Sequence, residues 1–256
     1  MSVRWQRVRN ALILIAGIVL VWQILFFMVG DIAISSPLAT LQYTAKLVRT
    51  DTFGGHLRAT LEAFGLAYLI AVMMGLSLGF WLGFHKLSGD VAEPMLVALY
   101  SIPKVTLYPI LLLSFGLGLS AKVAFGVLHG VIPITLFTLG SVRNVRPIHL
   151  KTARALKLSP LDTVFTVLFP AALPEIVTGL RVGFALTLIG ALLAEMFASQ
   201  RGLGFLLMNA IGLHNVDLIM SITLLLVVFA ATISTILLHI DRRLHHQARA
   251  ADALAM

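Results

Sequence analysis

The hydrophobic positions of this chain fall into six long runs separated by shorter polar stretches. The first, ALILIAGIVLVWQILFFMV over Ala11–Val29, has Gln23 as its one strongly polar residue and matches the length of about 20 residues that crosses a hydrocarbon core of about 30 Å. The apolar part of a cleaved leader is shorter, about 7 to 15 residues, so this run is expected to remain as a span. The others cover 63–84, 94–115, 120–140, 175–198 and 217–240. In the second, Gly75, Gly79 and Gly83 recur every four residues on one helical face, a spacing that lets another helix approach closely in lipid. A polar turn is expected over His85–Glu93, with the third span opening at Pro94. That span is interrupted by Pro103, Lys104 and Pro109, and broken helices are tolerated in a membrane only where they line protein or water.

The polar stretches carry patterns of their own. Asp31–His56 is expected as a loop containing an amphipathic helix over Pro37–Val48, and Ser199–Asn215 as a re-entrant or interfacial turn and helix. The longest interruption is His149–Pro174, HLKTARALKLSPLDTVFTVLFPAALP. Its first part, Leu150–Leu158, sets Ala153, Leu156 and Leu158 on one side and Lys151, Arg154 and Lys157 on the other, a helix with an apolar and a basic face. Ser159-Pro160 is expected to stop that helix and start a second. The second, Leu161–Leu168, places Leu161, Val164, Phe165 and Leu168 at helical spacing. Pro170 and Pro174 then lead into the fifth run.

Composition agrees with the pattern. Hydrophobic residues make up 59% and charged residues 12% of 256, against about 25% charged in a soluble domain. The chain is therefore an all-α membrane protein, expected as a single transmembrane domain over residues 1–256 with the lipid bilayer as its surroundings. In that setting the net charge of +8 orients loops and implies no nucleic-acid partner. Lys and Arg on the side of the N-terminus number twelve: Arg4, Arg7, Arg9, Lys86, Arg143, Arg146, Lys151, Arg154, Lys157, Arg242, Arg243 and Arg249. The opposite side has five, Lys46, Arg49, Arg58, Lys122 and Arg201. This asymmetry predicts that both termini, and the loop over 141–174, are cytoplasmic. With no cysteine there is no disulfide framework and no thiolate chemistry.

Candidate chemistry is sparse. An intramembrane lysine costs at least about 2.5 kcal/mol at a helix centre and by default marks a cavity or a partner. Lys104, with Ser101 and Thr106 beside it, is thus a candidate for the translocation path, in contact with an anion. The alternative is a structural carboxylate, or snorkelling along a kinked helix. Arg181 and Glu195 are the other path candidates. Arg181 lies about 10 Å into its helix from Pro174, where packing or headgroup contact is expected ahead of a place in the path, and Glu195 lies near the outer end of the fifth span. His129 has no second histidine at metal-ligand spacing and reads as a packing residue. His245-His246 in the charged tail reads as solvated. No metal site is expected. No G-x-x-x-x-G-K-[ST] loop is present, so phosphate-loop ATP hydrolysis is not expected of this chain, and no catalytic arrangement stands out.

TARALKLSPLDTVFTVLFPAALPEIVTGLRVG resembles the Glu-Ala-Ala loop of permease subunits of bacterial ABC importers. The triplet falls on Lys151-Thr152-Ala153, the family glycine on Lys157, and the Ile-x-Leu-Pro ending on Val167–Pro170. Ala153 and Pro170 match outright, whereas lysines replace the Glu and the Gly. SIPKVTLYPILLLSFGLG, AALPEIVTGLRVG and AEMFASQRGLGFLL are similar to further family segments in the same order, above all in the nitrate, sulfonate and taurine branch. The resemblance implies a MetI-like fold in the bacterial inner membrane. It also implies a second permease copy in a homodimer, an extracytoplasmic solute-binding protein, and two cytoplasmic ATPase subunits that hold ATP and magnesium. This chain would bind no cofactor itself. Lys151, Thr152, Ala153, Arg154, Leu156, Lys157, Leu158 and Ser159 would then form a coupling helix seated on the ATPase. Lysine adopts positive φ less readily than glycine, so Ser159-Pro160 is expected to make the turn in place of Lys157.

The solute expected from Lys104 and Arg181 is a small anion such as a sulfonate, taurine or nitrate. An uncharged or aromatic nutrient, such as a thiamine precursor or riboflavin, is the alternative within the class. The competing class is an ATP-independent channel or secondary transporter, which commonly shows internal repeats and midplane carboxylates. Neither is visible in the sequence.

Overall fold

The structure is a computed structural model describing residues 3–145, 147–159 and 162–254, apart from the side chains of 3, 4, 7, 8, 149, 150, 198 and 243–254. Helix α1 (Val3–Val29) opens with Arg4, Arg7 and Arg9 and is apolar on all sides from Ala11 onward, and its spanning stretch is unburied by the rest of the chain. It is held near its end by Trp22, whose Nε1 donates to Ser35 O at 3.0 Å. Helix α2 (Pro37–Leu47) follows the expected boundaries because Ser36 caps it, accepting from Ala39 N at 3.2 Å, while Pro37 occupies the first turn. Helix α3 (Asp51–Phe84) starts well before the apolar run at Ala63. Thr50 caps it by accepting from Phe53 N, and Asp51 suits the positive end of the helix dipole.

The turn expected over His85–Glu93 is confined to His85. Helix α4 (Lys86–Ser101) begins at once and carries Pro94 inside it. The polar residues stay helical because Arg143 supplies partners to Lys86 O, Asp90 and Glu93. The break expected near Pro103 is present. The chain bends by 88° after α4, passes a 3₁₀ turn over Lys104–Leu107, and resumes as α5 (Tyr108–Phe115).

Helix α6 (Leu119–Arg143) runs through Pro133 without ending, and α7 (Pro147–Ala155) follows it after three residues. A π-helix over Thr163–Leu168 runs directly into α8 (Phe169–Ala198). The separate second amphipathic helix expected over Leu161–Leu168 is therefore replaced by a π-helical lead-in to the fifth span. The Phe169 N–H bonds Val164 O, five residues back, and Pro170 has no N–H with which to restore the four-residue register. Val164 and Leu168 are half-buried but Phe165 is exposed, so the expected apolar stripe is split. Pro160 and Leu161 lie outside the described residues. Helices α9 (Leu203–Gly212) and α10 (Val216–Leu254) complete the chain. Five helices are long and apolar enough to cross a membrane among the described residues, and six when the bent α4–α5 pair counts as one.

Helix α6 sits in the middle, packed on α3 along one side and on α8 along the other. The glycine stripe explains the first contact: Cβ atoms at Gly75, Gly79 and Gly83 would stand 2.7, 2.5 and 2.8 Å from Ile134, Thr138 and Val142. These distances leave room for no side chain, so the backbones approach closely and the packing gains dispersion contacts where lipid offers no hydrophobic drive. On the other side His129 packs against Gly190, with its Nδ1 at 2.9 Å from Phe125 O. It is a packing residue. Phe64 and Phe184 meet edge to face at 5.0 Å and join α3 to α8.

Candidate functional site

Three places along this bundle hold the candidate residues. The first is the segment after α6. Helix α7 buries Ala153, which is 2% exposed, and turns Lys151, Thr152 and Arg154 outward, while just beyond it Lys157 is exposed and Leu158 half-buried. Leu156 is 66% exposed and does not join the apolar side as expected. The helix also ends at Ala155 and not at Leu158. Its end is a six-residue cap: Leu158 N donates to Ala153 O at 3.1 Å and Lys157 N to Arg154 O at 3.0 Å. Lys157 takes φ 51, the left-handed conformation that this cap requires. The expectation that Ser159-Pro160 would make the turn in its place is thereby corrected. Two hydrogen bonds to otherwise unpaired carbonyls offset the strain of the lysine. Ser159 has a different task, its Oγ accepting from Asp162 N at 3.1 Å and donating to Asp162 Oδ2 at 2.7 Å.

The second place is the break between α4 and α5. Lys104 is half-buried, its Nζ donating to Tyr100 O at 3.1 Å and lying 4.9 Å from the centre of the Tyr100 ring. The aromatic face and the carbonyl hold the ammonium, and no carboxylate pairs with it among the described residues. Ser101 and Thr106 are exposed and bond their own backbone, at Val97 O and Pro103 O. Tyr108 anchors the break to the bundle through its hydroxyl, which donates to Ala194 O at 2.7 Å. Arg181 stands apart from this group. Its Nη2 is 3.8 Å from Asp241 Oδ2, and Thr178 donates to the other oxygen at 2.8 Å, so Arg181 serves the contact between α8 and α10.

The third place surrounds Glu195, which is fully buried. Thr60 Oγ1 donates to its Oε2 at 2.8 Å, Gly204 N to the same oxygen at 3.0 Å, and Lys122 Nζ lies 3.7 Å from Oε1. Lys122 also donates to Arg201 O at 2.7 Å, Thr60 accepts from Leu203 N at 2.7 Å, and His56 Nδ1 accepts from Gly202 N at 3.1 Å. Gly202, at φ 127, rests on the carboxylate, where a side chain would overlap it. Glu195 thus ties α3, α6, α8 and the turn before α9 into one knot. Beside it opens a cavity of about 690 Å³ bordered by Glu62, Leu117, Lys122 and Arg201. Among the described residues no group of three His, Cys, Asp or Glu could hold a metal.

Sequence reasoning missed Lys122, Thr60 and Arg143. A usable signal existed for one of them, because a carboxylate at 195 and an ammonium at 122, each inside an apolar run, both need partners. For Thr60 and Arg143 the sequence holds no such signal.

A family model described as "Binding-protein-dependent transport system inner membrane component" matches residues 67–249. The chain belongs to this family. Among its relatives, a "Probable ABC transporter permease protein" of Haemophilus influenzae is 30% identical over 86% of this chain and 90% of its own length. A "Putative aliphatic sulfonates transport permease protein SsuC" of Bacillus subtilis is 27% identical over 78% and 74%. Among solved structures, the MetNI methionine ABC transporter in an inward-facing form matches with a TM-score of 0.60 at 18% identity, covering 73% of this chain and 94% of its own. The fold is therefore MetI-like, and the chain is a permease subunit of an ABC importer.

Proposed function

We propose that this permease forms the path for a small anion, such as a sulfonate, and that α7 is its seat on a cytoplasmic ATPase. The observation that carries the reading is the form of α7. It is a short helix closed by a hydrogen-bonded cap at its C-terminal end, with Ala153 turned inward, Lys151 and Arg154 presented outward, and Leu156 and Lys157 exposed on the cap. A partner groove with an apolar floor and an acidic rim fits such a face. The ATPase would supply ATP, magnesium and the hydrolysis, and its differential interaction with two packings of the spans would drive alternating access. The full assembly in this reading has two permease copies, two ATPase subunits and an extracytoplasmic binding protein. Both termini and α7 lie in the cytoplasm, supported by the excess of Lys and Arg on that side.

The anion assignment is supported by Lys104, a cation at the break of a span with no paired carboxylate among the described residues, and by the sulfonate relative. Two measurements test these points. Lys151→Glu with Arg154→Glu is expected to abolish co-purification of the ATPase in mild detergent, and undiminished recovery would rule out the docking face. In vesicles bearing the complete importer, taurine, nitrate and riboflavin serve as labelled solutes. Taurine or nitrate uptake that falls about tenfold on Lys104→Gln, as expected for a lost charge contact, supports the anion path. Riboflavin uptake indifferent to Lys104→Gln defeats it.

A further inference from the structure

Arg143 closes α6, and its guanidinium reaches sideways onto the first turns of α4. Nη1 lies 2.9 Å from Asp90 Oδ1 and 3.2 Å from Glu93 Oε2, and Nη2 donates to Lys86 O at 2.8 Å. Gly89 lies directly beneath, where any side chain would overlap both the guanidinium and Leu82 O. Three acceptors arranged for one planar fork call for arginine, since a lysine ammonium cannot span them. The contacts are half-exposed, with the carboxylates 53% and 49% accessible, and exposed pairs contribute little stability. Their geometry is more specific than stability requires.

Position supplies the reason. Only residues 144–146 separate Arg143 from α7. The far end of α4 is Ser101, after which the span bends by 88° and Lys104 stands. Helix α6 is wedged between α3 and α8 by contacts that admit no side chain at Gly75, Gly79, Gly183 and Gly190. Helix α4 has only Gly89 fully buried and touches the bundle through α3 and α6. Helix α7 thus follows directly on a wedged helix, α6, which Arg143 joins to a lightly held one, α4.

We propose that Arg143 is a positioning residue that makes α4 a lever, carrying displacement of α7 to the break at Ile102-Pro103. The proposal rests on α7 being the ATPase seat. A ligand can shift a conformation only through a contact that differs between states, and the fork on α4 is the contact through which α7 would act on the break.

The chain has no cysteine, so Ile102→Cys in the reconstituted importer can be labelled selectively with a membrane-impermeant maleimide, with and without ATP and vanadate. In the otherwise unchanged chain the labelling rate is expected to shift by about fivefold or more between the two conditions, the low end of ordinary coupling between sites. Arg143→Gln is expected to remove that shift while the ATPase still co-purifies. Arg143→Lys, which keeps the charge but cannot span the three acceptors, is expected to remove it as well, which a role of the charge alone would not do. A shift that survives Arg143→Gln or Arg143→Lys, or one absent from the unchanged importer, would overturn the lever. If the unchanged chain brings down no ATPase, the docking reading itself falls, a result distinct from all of these.

Discussion

The two ends of α6 are built in opposite ways. Near its start, Lys122 is 6% exposed and joins a fully buried carboxylate in a knot across four elements. At its finish, about 32 Å away at 1.5 Å per residue, Arg143 makes half-exposed contacts to α4 and the chain passes into a short exposed helix. A buried ion pair fixes one arrangement, because breaking it strands a charge away from water. A half-exposed fork contributes little to stability, and its partners are rehydrated at little cost when it is lost. Rigidity thus marks one end of α6 and compliance the other.

The knot should give the largest effect. Glu195→Ala leaves the Lys122 ammonium buried with the Arg201 carbonyl but without a counter-charge and is expected to cost about 3–5 kcal/mol, seen as loss of monodisperse protein after detergent extraction. A thermal midpoint unchanged from the parent would show that water reaches Lys122, and the contrast between the ends would fail. Between the ends, Gly79→Val forces branched carbons against Thr138, 2.5 Å from the Cβ position. That overpacking is expected to cost about 1–3 kcal/mol, measured as a lowered midpoint of thermal aggregation. The smallest change belongs to the compliant end. Lys157→Gly removes the strain of a left-handed residue and is expected to stabilise the α7 cap by about 1 kcal/mol, read as slower amide exchange at Leu158. Faster exchange there would mean that the lysine side chain contributes to the cap.

How much of this was legible depends on the range of the forces involved. The glycine stripe pointed to close helix packing, and Ile134, Thr138 and Val142 are what it meets. The broken third span followed from Pro103, Lys104 and Pro109, because proline acts on its own turn. By contrast, Leu156 sits on a cap, outside the helix where spacing alone placed it, and Lys157 adopts the conformation that propensity disfavours. Local preference yields there to two hydrogen bonds worth more than the strain. His214, at φ 52, ends α9 in the same way, with Asn215 N donating to Ala210 O at 2.9 Å.

By itself the sequence determined that the chain spans a membrane, where most of its helices lie, and which stretch stands out from them. Those properties are sums over neighbouring residues, and the bilayer reads them one segment at a time. Only the tertiary structure decided that Glu195 meets Lys122 and Thr60, that Arg181 meets Asp241, and that Arg143 grips α4. These pairs join residues far apart in the chain, so each depends on how whole helices stand against one another, which no local pattern encodes.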